Sequence, residues 1–161
     1  MRLHIEKCIL FILSALAGVA VGVAVANCFW EKNYVKLNSN YRKLSGYYHV
    51  FNEWLSNEFH GRKTESYFVK NGYKSVAIYG MKEFGVHLYE MLKDSDVKVE
   101  YVIDRNSEIV SEDIKCYKPT DELPKVDVIV VTASYYFNEI RKQLQHTGYR
   151  IVSIEDVIYC K

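Results

Sequence analysis

Proline and glycine are scarce, with two and eight residues in a chain of 161. That scarcity excludes a collagen-like chain and a low-complexity disordered chain. The four cysteines, at positions 8, 28, 116 and 160, form no C-x-x-C pair and no metal-binding pattern, so neither a disulfide framework nor a zinc site is predicted. The net charge of +1 gives no electrostatic reason to expect nucleic acid as a partner.

Charge is also absent from one long stretch, the 23 residues from Cys8 to Trp30. As a helix this stretch would extend about 35 Å, enough to cross the hydrocarbon core of a bilayer, about 30 Å thick. A cleaved signal peptide is the competing interpretation, because Ala24-Val25-Ala26 has the form of a cleavage site. The run is longer than the usual apolar region of a signal peptide, so we favour one transmembrane helix within residues 1–30 and a location in the cell membrane.

The basic residues near the two ends of this segment predict its orientation. They are Arg2 and Lys7 before it, and Lys32, Lys36, Arg42 and Lys43 after it. Because cytoplasmic flanks carry the excess of lysine and arginine, the count predicts a single-pass protein with a cytoplasmic C-terminal part.

Small residues recur every four positions within the apolar segment. They are Ser14, Gly18, Gly22 and Ala26. Such a face lets two helix backbones approach closely, so a homodimer through Gly18 and Gly22 is one interpretation. The other is the ordinary richness of membrane helices in small residues.

Residues 31–72 are predicted to form an amphipathic helical connector. Its apolar stripe follows alternating steps of three and four residues: Tyr34, Leu37, Tyr41, Leu44, Tyr48, Phe51 and Leu55. The stripe can pair with a second chain, lie at the lipid interface or pack on the domain that follows it. We favour the last, because tyrosine is unusual in a coiled-coil seam and Gly46 weakens the helix. Thr64 is then predicted to cap a short helix that ends at Asn71 and Gly72.

From residue 73 onward, short apolar runs alternate with helical patterns. The predicted strands are 75–79, 98–103, 114–117, 126–131 and 150–154, with helices after the first strand and over about 135–146. This alternation predicts an α/β fold, a small Rossmann-like parallel sheet with flanking helices over residues 73–161. The segment is too short for a complete dinucleotide fold together with a substrate domain.

The first predicted strand leads into the turn Gly80-Met81-Lys82-Glu83-Phe84-Gly85. This turn has the first and third glycines of G-x-G-x-x-G, with Lys82 in place of the second. A side chain there obstructs the usual approach of a pyrophosphate, whereas the Lys82 ammonium can hold a phosphate by charge. Asp104 ends the second strand, where a carboxylate can accept hydrogen bonds from ribose hydroxyls. The alternative is that both glycines serve only the fold and that Asp104 caps the turn after it.

The globular part resembles the small Rossmann-type domain of bacterial surface and capsular polysaccharide biosynthesis proteins. The resemblance covers about residues 47–161 and is carried by SVAIYGMKEFGVHLYEML, VEYVIDRN, LPKVDVIVVTAS and RIVSIEDVIY. The same segments are similar to the nucleotide-sugar-binding N-terminal domain of sugar O-acyltransferases. Members of these families have G-x-G-E-x-G at the turn, so Lys82 is a departure.

The resemblance implies a ligand and a set of site residues. Gly80, Gly85 and Asp104 match the families' nucleotide-site positions, and Thr132 and Ser134 match the strand end that faces the ligand. The implied ligand is NAD(P) or a nucleotide sugar, and the implied partners are enzymes of polysaccharide biosynthesis.

The sequence contains no P-loop, nucleophile elbow or metal motif, so no catalytic residue is predicted. We therefore expect a membrane-anchored module that binds a nucleotide or nucleotide sugar and assists surface-polysaccharide biosynthesis. The alternatives are an NAD(P)-dependent sugar-modifying enzyme and a non-catalytic membrane scaffold with a degenerate Rossmann site.

Overall fold

The computed structural model describes residues 2–106 and 114–160, without the side chains of residues 2–4, 8 and 9. The side chain of Arg2, which enters the charge count for topology, therefore lies outside the described residues. The chain divides into two compact units, Met1–Gly46 and Tyr47–Lys161.

The first helix, α1 (Arg2–Phe59), is continuous, where the sequence predicted an apolar helix and a separate connector. The helix contains no proline, and Gly46 costs only about 1 kcal/mol relative to alanine, which is too little to end a helix of this length. Its N-terminal part is long and apolar enough to cross a membrane, with a mean hydropathy of 2.7 and with exposed side chains.

The residues of the apolar stripe differ in how exposed their side chains are. Five of its residues are exposed: Tyr34, Leu37, Tyr41, Leu44 and Tyr48. Phe51 is half-buried against Phe84 and His87, and neighbouring Trp54 is fully buried. The expectation that the stripe packs on the following domain is therefore correct for Phe51 and wrong for Tyr48 and Leu55, which are exposed.

The short helix α2 (Glu65–Lys70) follows the turn after α1 and ends at Asn71, before Gly72, whose φ is +73°. Thr64 occupies its N-cap position but makes no capping hydrogen bond, so the predicted role is wrong. Its hydroxyl instead donates to Glu58 Oε1 and accepts from Trp54 Nε1, both at 2.6 Å. Thr64 thus joins the start of α2 to the end of α1.

Five parallel strands form one sheet. They are β1 (Ser75–Tyr79), β2 (Lys98–Ile103), β3 (Cys116–Tyr117), β4 (Val128–Val131) and β5 (Arg150–Ser153). Their order is β3-β2-β1-β4-β5, so the chain moves to one side of β1 first and to the other side later. The bounds of β1 and β2 agree with the sequence prediction, whereas β3 and β4 each begin two residues later than predicted.

Among residues 2–106 and 114–160, three helices connect or follow the strands: α3 (Glu83–Leu92), α4 (Phe137–Leu144) and α5 (Ile154–Ile158). α4 lies between two 3-10 turns, Ser134–Tyr136 and Gln145–Thr147, so the predicted helix over 135–146 is in three pieces. Helix α5 was not predicted from the sequence. A capping box begins α5, because the Asp156 N–H donates to Ser153 Oγ and the Ser153 N–H donates to Asp156 Oδ2.

The sheet carries an apolar core on each face. Successive side chains of β1 alternate, with Ile78 in the cluster that includes Leu88 of α3 and Ala77 in the cluster that includes Ile140 of α4. Because both faces of the sheet are covered, a ligand can reach the sheet at its edges but not at its faces. The strands are parallel, so their carboxyl ends lie together at one edge.

Candidate functional site

The candidate site lies where the carboxyl ends of β1 and β4 meet. β1 has β2 on one side and β4 on the other, so the strand order reverses between β1 and β4. In open α/β sheets, ligands bind outside the carboxyl ends of the strands at such a reversal. β1 leads there into the Gly80 turn, and β4 leads into Thr132, Ala133 and Ser134.

Gly80 is the residue that allows the turn. Its φ is +93°, and a Cβ at this position would lie 2.8 Å from Thr132 Oγ1. The Thr132 hydroxyl donates to the carbonyl oxygens of Gly80 at 2.7 Å and Tyr79 at 3.0 Å. Thr132 is buried and its one hydroxyl hydrogen is engaged by the turn, so the predicted contact with a ligand is left to the lone pairs of its oxygen.

Gly85 lets helix α3 start directly on this turn. A Cβ at Gly85 would lie 2.0 Å from the carbonyl oxygen of Gly80 and 2.9 Å from its carbon. No side chain fits at that distance, so this glycine serves close packing, which is the role of the third glycine in the G-x-G-x-x-G pattern.

Lys82 precedes α3 at its N-cap position, with extended backbone and an exposed side chain. Within residues 2–106 and 114–160, its ammonium has no hydrogen bond and no ion pair. The ammonium is therefore available to an anion near the start of α3, where the helix dipole also favours negative charge. Glu83 follows in the first turn of α3 and places a competing negative charge nearby.

Asp104 fastens the end of β2 to the glycine turn. Its Oδ2 accepts a hydrogen bond from the Met81 N–H at 2.9 Å, and its Oδ1 accepts one from the Asn106 N–H at 3.0 Å. The hydrogen bond from Asn106 caps the turn after β2, which is the alternative role that the sequence predicted for Asp104. The first occupies a backbone donor of the turn that a phosphate would otherwise use. Each carboxylate oxygen keeps one lone pair for a further donor such as a hydroxyl.

Residues 72–155, more than half of the chain, match the sequence model of a protein family that is described as C2185-like, N-terminal. The chain belongs to this family. The matched residues of the C2185-like domain include the Gly80 turn, Asp104 and the end of β4. No curated protein and no solved structure matches the chain.

Ser134 adds a hydroxyl at the same edge of the C2185-like domain. It is half-buried and starts the 3-10 turn after β4, with its N–H donating to the Thr132 carbonyl at 3.0 Å. Its side chain has no hydrogen bond to any part of the chain that the structure describes. Tyr135 and Tyr136 follow, both exposed and in edge-to-face contact. Ser134 and Lys82 are thus the two predicted site residues whose side chains keep their hydrogen-bonding capacity.

The proximity of Arg105 to Tyr79 was not predicted from the sequence. Burial raises the pKa of the Tyr79 hydroxyl, and the charge of Arg105 offsets this only in part. Arg105 also lines an open depression of about 320 Å³ together with Lys118 and Gln143. The alternation of side chains along β1, which turns Tyr79 toward the α4 face, is the sequence signal that could have found this pair.

A larger depression of about 440 Å³ lies away from the predicted residues. It is lined by Thr120, Asp121, Glu122, Leu123, His146, Thr147 and Tyr149. The described residues contain no group of three or more histidine, cysteine, aspartate or glutamate side chains placed to hold a metal ion.

Proposed function

We propose that this protein is a membrane-anchored module that binds a nucleotide or a nucleotide sugar at the carboxyl edge of its sheet. One observation carries the proposal: a left-handed glycine turn stands where the strand order reverses, and Gly85 lets a helix start against it. This combination, with the strand order β3-β2-β1-β4-β5, is typical of Rossmann-like domains that bind phosphates at a helix start.

Three polar side chains at this edge would each hold one part of the ligand. The Lys82 ammonium and the start of α3 would hold a phosphate, in place of the closer backbone approach that a second glycine allows. The free lone pairs of Asp104 would accept hydrogen bonds from ribose hydroxyls, and the Ser134 hydroxyl would contact the remaining part. NAD(P) and nucleotide sugars both carry these groups.

The membrane part of the proposal rests on α1. Its apolar N-terminal part would cross the membrane once, and the excess of lysine and arginine after it would keep the sheet domain in the cytoplasm. A role beside enzymes of surface-polysaccharide biosynthesis is drawn from the resemblance of the sheet segments to such proteins. The homodimer through Gly18 and Gly22 stays a prediction of the sequence.

A non-catalytic scaffold with a degenerate site is the second candidate. The hydrogen bond from the Met81 N–H to Asp104 favours it, because a carboxylate already occupies a donor of the turn and its charge repels a phosphate. Lys82 in place of the second glycine favours it as well.

Thermal unfolding of the full chain in detergent, with NAD⁺, NADP⁺ and UDP-sugars, tests the first candidate against the second. A ligand at 100 times its Kd stabilises the folded state by about 2.7 kcal/mol, so a bound ligand raises Tm measurably. We expect Asp104→Asn to abolish the rise in Tm. The substitution replaces one carboxylate oxygen by an NH2 group, which cannot accept a hydrogen bond from the backbone N–H or from a ribose hydroxyl.

Asp127→Asn is the matched control. Asp127 accepts hydrogen bonds from the N–H groups of Lys74 and Ser75 at the opposite end of β1, so the same substitution disturbs a similar bond away from the site. A Tm rise that survives Asp127→Asn but not Asp104→Asn supports nucleotide binding. No rise with any of these ligands supports the scaffold.

A further inference from the structure

The exposed part of the stripe on α1 has the spacing of a coiled-coil seam. Tyr34, Tyr41 and Tyr48 occupy the a positions of a heptad, and Leu37 and Leu44 occupy the d positions. These five side chains are 65 to 70% exposed. An apolar face of this length on one helix requires a partner.

The charges of this segment avoid the seam and its borders. The e and g positions that flank it are uncharged: Asn33, Asn38, Asn40, Ser45 and Tyr47. The cations stand at the outer b, c and f positions: Lys32, Lys36, Arg42 and Lys43. A second identical helix can therefore approach in parallel without placing like charges opposite each other, which is the condition that a homotypic pair must meet.

Lipid does not reach most of this face. α1 continues without a break, so with the apolar part in a bilayer the helix leaves the membrane after Trp30. At 1.5 Å per residue, Tyr41 and Tyr48 lie about 17 and 27 Å beyond Trp30 along the axis. The headgroup layer adds only about 5 to 8 Å to each side of the hydrocarbon core. A partner in solution must cover the stripe.

The sheet domain uses another face of the same helix. In the same heptad, the buried residues Val50 and Asn57 are at c and Trp54 is at g. The seam ends at Tyr48, because the next d residue, Phe51, contacts Phe84 and His87 with ring centroids 6.0 and 5.5 Å apart. The a and d residues before Phe51 are exposed.

We propose that residues 34–48 pair with the same segment of a second copy of this chain as a short parallel coiled coil. Membrane insertion in one orientation enforces the parallel arrangement. Leucines at d supply the apolar contact, and tyrosines at a bury their rings while their hydroxyls reach the edge of the seam. Continued toward the membrane, the heptad puts Gly18 and Gly22 at the outer f and c positions, so the two interfaces are alternatives.

Disulfide crosslinking of the full chain in lipid vesicles tests the pairing. The four native cysteines are replaced by serine or alanine, and Leu37→Cys or Leu44→Cys is introduced. Ser39→Cys, at the outer f position of the same heptad, is the matched control. With a mild oxidant we expect most of each seam variant to run as a dimer on a non-reducing gel, and the Ser39 variant to remain monomeric.

Equal crosslinking at Ser39, or none at Leu37 and Leu44, overturns the proposal. Crosslinking at Gly22→Cys without crosslinking at the seam also overturns it, in favour of the small-residue face. Leu37→Glu with Leu44→Glu supplies a second measurement on the chain with its native cysteines. Sedimentation in detergent should show this double variant shifted from dimer to monomer, and an unshifted dimer counts against the seam.

Discussion

Two polar clusters of the sheet domain are both held by side-chain hydrogen bonds, but they differ in whether unbonded polar side chains lie beside them. The junction cluster consists of Trp54, Glu58 and Thr64, and the turn cluster consists of Gly80, Asp104 and Thr132. In the junction cluster, Trp54 Nε1 donates to the Thr64 hydroxyl, and both the hydroxyl and the N–H of Thr64 donate to Glu58 Oε1. Every member is bound to another member.

The turn cluster also binds its own backbone, yet it stands beside side chains that have no partner. Asp104 and Thr132 hold the turn, while the side chains of Lys82 and Ser134 make no hydrogen bond with the residues that the structure describes. If the proposed function is correct, both clusters stabilise the fold, and of the two the turn cluster also takes part in binding a ligand. Substitutions should therefore separate stability from binding.

The largest effect is expected at Gly85. A methyl group there would lie 2.0 Å from the Gly80 carbonyl oxygen, so Gly85→Ala must displace α3 or the turn. We expect a loss of about 3 kcal/mol in the free energy of unfolding, measured by denaturant titration. Gly46→Ala is the control, because a Cβ there meets nothing within 4 Å and alanine favours the helix. Equal stability of the Gly85→Ala variant would show that the turn is not closely packed.

Thr64→Val tests the junction cluster. The substitution keeps the shape of the side chain but removes the acceptor of the Trp54 N–H and one of the two hydrogen bonds that Thr64 donates to Glu58. We expect a loss of about 2 kcal/mol in the free energy of unfolding and no change in ligand affinity. Thr120→Val is the control, because Thr120 is exposed and its hydroxyl has no hydrogen bond to the described residues. A loss of ligand affinity in Thr64→Val would contradict the prediction that the junction cluster affects stability and not ligand binding.

Much of the fold could be predicted from the sequence, because burial imposes simple patterns. The run Ser75–Tyr79 is apolar and β-branched because strand β1 is covered on both faces, so its bounds were predicted correctly. Strand β4 begins at Val128 and not at residue 126, because the pairing with β1 starts at Val76. The capping box of Ser153 and Asp156 was visible in the sequence and should have indicated α5.

The candidate site was predicted only in part. Both glycines were assigned correctly, because left-handed backbone and close packing leave no other residue possible. Asp104 was located correctly, but its partner Met81 lies 23 residues away in the chain, and the sequence does not specify which backbone N–H it meets. Thr132 was expected to face a ligand, yet its hydroxyl binds the turn across the strand pair. Such long-range hydrogen bonds depend on the packed structure.

Lys82→Met should affect binding without affecting stability. The side chain is exposed and has no partner among the described residues, so we expect the free energy of unfolding to change by less than about 0.5 kcal/mol. Loss of one charge contact to a phosphate should weaken ligand affinity about tenfold, roughly 1.4 kcal/mol, as measured by calorimetric titration. Lys98→Met is the control, since Lys98 is at the amino end of β2 and pairs with Glu100. Equal weakening by both substitutions would exclude a phosphate at the turn.

The smallest effect is the pH dependence that Glu58 gives to the junction cluster. Burial raises the pKa of Glu58, but hydrogen bonds from Thr64 and the charge of Lys63 outweigh it and hold the pKa below its ordinary value of 4.5. A lowered folded-state pKa contributes stability above pH 4.5, and this contribution disappears as the pH falls through the lowered value. Wild type should therefore exceed Glu58→Gln in stability by up to about 1 kcal/mol at pH 7, and the difference should shrink as the pH falls below 4.5. Glu122→Gln, at an exposed carboxylate, should show no such change. If the Glu58 difference were constant between pH 7 and pH 3, its carboxylate would not be the acceptor that closes the junction cluster.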